Sequence, residues 1–179
     1  MIGVNKIHFL CLYPVLLALL MGTPVLAAEP LGKVFDVKGK VTFFPEGKAR
    51  GIALSEPGQP LSGGDSLATR REAEAKLLFG NGDRMILEES SNLRIKDSAE
   101  ALLAEGQVFL DIRKRGELGG YQVKTATVTI GVRGTRFALS CQGDTIAVHL
   151  QKGRLLVSNQ EGGFKKHSGQ EMAEQFEQM

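Results

Sequence analysis

Ala73-Glu-Ala75-Lys-Leu77-Leu-Phe79-Gly-Asn-Gly82-Asp-Arg-Met85-Ile-Leu87 decides the fold class. Ala73, Ala75, Leu77 and Phe79 alternate with Glu74, Lys76 and Leu78, and Met85 and Leu87 keep the same phase further on. Ala, Glu, Lys and Leu all favour helix by propensity. The period of two and the Gly-Asn-Gly break favour two strands instead, joined by a loop that needs left-handed backbone positions. The segment therefore predicts a hairpin.

The same period runs outward in both directions. Val34, Phe35, Val37, Val41, Phe43 and Phe44 read as extended chain punctuated by Gly39. Residues 45–60 carry Pro57, Gly58 and Pro60 and read as a loop, and Gly63-Gly64-Asp65 reads as a turn before Leu67. Further on come short strands at Leu93 and Ile95, at Val108, Leu110 and Ile112, at Tyr121 and Val123, and at Ile146, Val148 and Leu150. Val128, Ile130 and Val132 share one face by even number, whereas Phe137, Leu139 and Cys141 share a face by odd number. A period of two changes phase only through a bulge or a turn, so Arg133-Gly134-Thr135-Arg136 must contain one. Residues 98–105 are ambiguous between helix and strand. Met172, Phe176 and Met179 have helical spacing and read as one short terminal helix or a frayed end.

One internal echo stands out. Residues 103–110, with Gly106, repeat the pattern of residues 150–157, with Gly153: an apolar position, two polar or small ones, Gly, one polar, then apolar alternation. The expected fold class is all-β. It is a stack of short glycine-cornered strands, either solenoid-like, roll-like or sandwich-like.

Composition narrows the function classes. The chain has 179 residues, 42% of them hydrophobic, and 22 Lys and Arg against 20 Asp and Glu. That balance excludes a disordered tail and a strongly basic nucleic-acid binder. Two Cys exclude a dense disulfide scaffold. Residues 1–27 read as a signal peptide: Lys6 is the only charge, an apolar run extends from Ile7 to Leu20, and Pro24 precedes Val25-Leu26-Ala27. Cleavage after Ala27 is expected, with an uncleaved anchor as the alternative. His8-Phe9-Leu10 before Cys11 fits a lipobox poorly. Residues 28–179 would then be a single β-domain with no further membrane span, located in the periplasm or secreted. Its one remaining thiol, Cys141, reads as a small core residue, with an intermolecular disulfide or a reactive thiol as alternatives.

The chemistry-bearing residues are few. His149 and His167 are isolated, and neither a His-x-x-x-His spacing, a Gly-x-Ser-x-Gly elbow nor a Walker loop occurs. No catalytic set, metal site or cofactor is implied. Glu88 and Glu89 are adjacent and read as a solvated strand end. The segment Gly131-Val-Arg133-Gly134-Thr135-Arg136-Phe137 could present backbone N–H groups and two guanidinium groups to an anion. Arg133, Thr135 and Arg136 are its candidate ligand contacts. In the competing reading Gly134 supplies a backbone angle, an Arg ties a carboxylate and Thr135 bonds locally.

The stretch Val123-Lys-Thr-Ala-Thr-Val-Thr-Ile-Gly131-Val-Arg133-Gly134-Thr135-Arg-Phe137 resembles the signature of the FecR domain family, V-x-T-P-x-A followed by V-R-G-T-x-F. Residues 146–157 resemble its V-x-V-x-x-G-x-V-x-V segment, and residues 61–69 and 75–83 resemble upstream elements. Ala126 stands where the family often has Pro. The resemblance covers Leu31 to Met172. It implies an all-β fold and no catalytic residues to carry over. Family members of full architecture carry a cytoplasmic anti-sigma segment and a membrane helix, and relay a signal from an outer-membrane iron-siderophore receptor. This chain reads as the periplasmic module alone behind a cleavable leader.

The expected function is a non-catalytic module that binds a protein partner of the cell envelope, with a signalling role, through exposed sheet edges. The alternative is a glycan- or anion-binding module using Gly131–Phe137. An enzyme would need carboxylates gathered by the fold from distant positions.

Overall fold

The computed structural model describes residues 29–114, 120–143 and 145–159, together with the backbone of a last strand at Phe164–Ser168. The leader reading and the helical spacing at Met172, Phe176 and Met179 lie outside the described residues. In chain order the strands are β1 (Gly32–Lys38), β2 (Val41–Phe44), β3 (Ile52–Leu54), β4 (Pro60–Leu61), β5 (Ser66–Thr69), β6 (Glu74–Phe79), β7 (Arg84–Leu87) and β8 (Asn92–Ile95). They continue as β9 (Glu100–Ile112), β10 (Tyr121–Lys124), β11 (Val128–Val132), β12 (Thr135–Gln142), β13 (Thr145–Lys152), β14 (Arg154–Asn159) and β15 (Phe164–Ser168). No described residue is helical, so the all-β expectation holds.

The strands form two hydrogen-bonded sheets. Sheet I has the order β4-β1-β6-β7-β9-β12-β13. Sheet II has the order β3-β2-β5-β8-β9-β10-β11-β14-β15. All pairs are antiparallel except β9 with β10. β9 belongs to both sheets. Its first half pairs with β8 and β10, and from Gly106 onward it pairs with β12 and then β7. The ambiguous residues 98–105 are thus strand from Glu100, because β9 is held from both sides. Inward side chains of the two sheets, such as Leu77, Leu110 and Phe137 from one and Leu67, Leu93 and Ile130 from the other, belong to one buried cluster.

Some local expectations change. Residues 45–60, read as loop, contain β3 and the start of β4. Pro60 is tolerated because β4 is an edge strand, where no ladder N–H is needed. His167 lies in β15 opposite Leu155 and not in a loop. The turns at Arg133-Gly134 and Lys152-Gly153 do not make hairpins, because β11 does not pair with β12, nor β13 with β14.

These turns are corners where the chain passes from one sheet to the other. Crossings occur at Gly39, Gly58, Gly64, Glu72, Ser90, Gly106, Gly134 and Gly153, and each of these residues has a positive φ. The internal echo now has a physical meaning: Gly106 (φ 92°) and Gly153 (φ 103°) both reverse the sheet to which the chain belongs. A Cβ on Gly106 would overlap Ser91, and one on Gly153 would lie 2.7 Å from the Gly134 carbonyl oxygen and 2.9 Å from the Thr135 Cα. At these two positions one corner packs directly on another, Gly106 on the Ser90-Ser91 turn and Gly153 on Gly134-Thr135.

Folding buries polar groups at these corners and at the loop ends, and each must find a partner or cost about 1–3 kcal/mol. Thr135 Oγ1 donates to the Arg154 carbonyl at 2.8 Å, tying the Gly134 corner to the Gly153 corner. Ser91 Oγ accepts from the Gln107 N–H at 2.8 Å and donates to the Glu89 carbonyl at 2.9 Å. Thr69 Oγ1 accepts from the Ser91 N–H at 3.0 Å. Asp65 accepts from the N–H groups of Ser62 and Glu46 at 2.7 and 2.9 Å, and Asp83 accepts from the Arg113 N–H at 2.9 Å.

Two predictions follow from this packing. Gly58 and Gly153 have similar φ, 107° and 103°, but only Gly153 has neighbours where a Cβ would stand. Gly58→Ala should lose about 1–3 kcal/mol from backbone strain alone. Gly153→Ala should lose distinctly more in a urea titration; equal losses would contradict the corner stacking. Cys141 is 1% exposed and its Sγ faces the Ala104 carbonyl oxygen at 3.6 Å. Burial pushes its thiol pKa up, and the Glu105 charge adds to that, so thiolate is scarce at neutral pH. A thiol reagent should leave Cys141 unlabelled in the native protein and label it fully in urea. Labelling of the native state at the rate of a free thiol would contradict this environment.

Candidate functional site

A concavity with a largely apolar lining lies on the outer face of sheet I. Its volume is about 590 Å³, within the range of binding clefts. Strand alternation builds it. Side chains between the core positions of β6, β7, β9 and β12 point outward: Lys76 and Leu78, Arg84 and Ile86, Phe109 and Asp111, then Arg136.

Two bulges flank this face. On β1 the register passes from Val34 opposite Leu77 to Asp36 opposite Lys76, which leaves Phe35 as the extra residue. On β13 it passes from Lys152 opposite Arg136 to Leu150 opposite Phe137, which leaves Gln151 as the extra residue. A bulge bends its strand and increases local twist, curling both flanks of the sheet. Both extra residues line the concavity, and Phe35 is 59% exposed.

The register sorts the outward residues of this face into two cross-strand rows, which extend past the lining at Ala138, His149 and Lys152. One runs Lys76–Ile86–Phe109–Ala138–His149 and is apolar in its middle. The next runs Leu78–Arg84–Asp111–Arg136–Lys152 and carries three cations and one carboxylate. Arg136 Nη2 bonds Asp111 Oδ2 at 2.9 Å. At the other flank Lys76 bonds Asp36 at 2.9 Å and Glu74 at 3.3 Å. The Lys76 hydrogen bond holds the Asp36 carboxyl below its ordinary range, and that same bond raises the Lys76 ammonium, so the pair is ionised at neutral pH. Both groups are well exposed, which makes the pair a weak source of stability.

The structure separates the three residues singled out in the Gly131–Phe137 segment. Thr135 is 1% exposed and its hydroxyl is engaged at the corner. Arg136 lies on the outer face of sheet I, paired with Asp111. Arg133 is exposed and borders a shallower depression on sheet II with Arg154, Gly131 and Leu156. Gly134 supplies the positive φ. Arg133 and Arg136 thus line different concavities, because the corner between them changes sheets. His149 is exposed on β13. β7 ends at Leu87, so Glu88 and Glu89 follow it in a turn; with Glu105 they border a third depression. Among the described residues no three His, Cys, Asp or Glu are disposed to hold a metal ion.

The residues that sequence reasoning passed over are Phe35, Leu78, Arg84, Ile86 and Phe109. A signal existed: Leu78, Ile86 and Phe109 are apolar at outward positions, where a strand over a solvated face would carry polar ones. The arrangement offers an apolar floor beside a cationic row. Such a surface combines apolar area with fixed positive charge.

A family model described as FecR protein matches residues 65–156, just over half of the chain. No curated protein matches the sequence. Two crystal structures of a candidate anti-sigma factor from Parabacteroides distasonis are similar in fold. One, at 1.65 Å, has a TM-score of 0.52 at 15% identity, and the other, at 2.50 Å, has 0.51 at 17%. In each case the match covers 57% of this chain and 50% of the other, so the chain spans about half the length of the structures it matches. The matched family segment runs from Asp65 through the corners at Gly106, Gly134 and Gly153 to Leu156, and the chain belongs to the FecR protein family.

Proposed function

We propose that this chain is a non-catalytic, protein-binding module of the cell envelope, working in the periplasm or after secretion, with a signalling role. The carrying observation is the FecR match over residues 65–156, which spans both sheets. The fold likeness to a candidate anti-sigma factor is in keeping with a place in regulation. The signal-peptide pattern of residues 1–27 supports export. The fate of the buried polar side chains supports the non-catalytic reading: Asp65, Thr69, Asp83, Ser91, Thr125 and Thr135 all bond backbone groups at corners and turns. Their hydrogen-bonding capacity is used in holding the fold.

Export and binding are tested separately. Expressed with its leader in a Gram-negative host, the protein should appear in the periplasmic fraction or the medium with Ala28 as its first residue by mass spectrometry. A cytosolic protein with the leader intact would contradict export. Purified protein immobilised on a sensor should capture an envelope protein saturably at several salt concentrations. Recovery of nothing but the bait would contradict the binding role.

A further inference from the structure

We infer that the outer face of sheet I is the docking surface for an acidic amphipathic helix of a partner protein. This inference rests on the proposed partner-binding role and names the surface and the chemistry.

Charge complementarity carries it. Along the charged row Asp111 is the only carboxylate, opposite Arg84 on one side and Arg136 on the other, and Arg136 is itself opposite Lys152. Like charges directly opposite each other on neighbouring strands are unfavourable. Asp111 pairs with Arg136, which leaves the row with two cations in excess. An incoming line of carboxylates would offset that excess. The apolar row lies two residues along the strands from the charged row, a separation of about 7 Å. It offers Ile86, Phe109 and Ala138, and at the β1 and β6 flank Phe35 and Leu78, the latter from the start of the charged row, add apolar surface. On its far side the next row contains Glu74, Glu88, Gln107, Ser140 and Ala147, two carboxylates and no cation, so acids of a ligand are favoured on the Arg84 and Arg136 side alone.

The surface is therefore one-sided. It suits an element with an apolar stripe and acids along one flank, which a helix supplies by its periodicity. The distance from β1 to β13 is five strand spacings, or about 24 Å. A helix of about 16 residues has the same length. Lying across the strands, such a helix would put its apolar stripe on Ile86 and Phe109 and its acids over Arg84 and Arg136.

The probe is a fluorescently labelled synthetic amphipathic peptide of Leu, Ala and Glu of that length, with a counterpart in which every Glu is Gln. Full-length protein should bind the Glu peptide saturably and more weakly as salt rises. The Gln peptide should bind poorly. Arg84→Gln with Arg136→Gln should weaken binding roughly tenfold or more. Arg133→Gln with Arg154→Gln, on sheet II, should leave it unchanged. All four arginines are exposed, so the variants should keep the wild-type thermal midpoint.

Absence of binding, or binding indifferent to Arg84 and Arg136, overturns the inference. So does binding that appears only when residues 169–179 are removed; that would assign the surface to the chain's own acidic end. Binding to phosphatidylglycerol vesicles in place of the peptide overturns it in favour of a membrane. An envelope partner captured equally by wild type and by the Arg84→Gln, Arg136→Gln variant would leave the partner-binding role standing and remove this surface. Peptide binding with no partner captured would do the reverse.

Discussion

The contact on which the rest of the structure leans is the stacking of one corner on the next. A chain that alternates between two sheets must turn sharply at every crossing, and each described crossing does so with a residue of positive φ. The turn exposes backbone groups that the ladders no longer satisfy. Buried hydroxyls and carboxylates satisfy them, as Thr135 does for the Arg154 carbonyl and Ser91 for the Gln107 N–H. Corners of this kind can approach one another closely only where a Cβ is missing. The Val-Arg-Gly-Thr sequence and the later Gly153 are then two halves of one joint, and they belong together for steric reasons.

The joint also decides what is available for recognition. Because Arg133 and Thr135 flank a crossing, one points to solvent beside sheet II and the other into the interior. Arg136, one residue later, emerges on the outer face of sheet I. The corners hold the inner faces together, leaving the outer faces for other uses. On sheet I the bulges at Phe35 and Gln151 curl that outer face into a concavity with an apolar row and a cationic row.

Much of the fold was legible in the sequence because a period of two is a local property. The β6–β7 hairpin could be read from its alternation and its Gly-Asn-Gly loop. The phase change between Val132 and Phe137 located a bulge or a turn, since an even and an odd face cannot belong to one uninterrupted strand. What the phase change could not say is that the chain changes sheets there. A hairpin and a crossing have the same one-dimensional signature, and only pairing between distant strands distinguishes them. The ambiguity of residues 98–105 has the same origin: Ala, Leu and Glu favour helix locally, and β8 and β10 impose the strand from outside. The site was less legible. Its residues come from β1, β6, β7, β9, β12 and β13, and their adjacency is a matter of register. Arg136 was singled out for its neighbours in sequence, and its structural company, Asp111 and Arg84, lies far away in the chain.

If stacked corners couple the sheets, the two must open together. Native-state hydrogen exchange on wild type and Thr135→Val tests this most directly, read at the core amides of Leu139 in sheet I and Ile130 in sheet II. Wild type should show one shared opening free energy at both, and the substitution should lower both by the same amount. Separate opening free energies, or a loss confined to sheet I, would contradict the coupling.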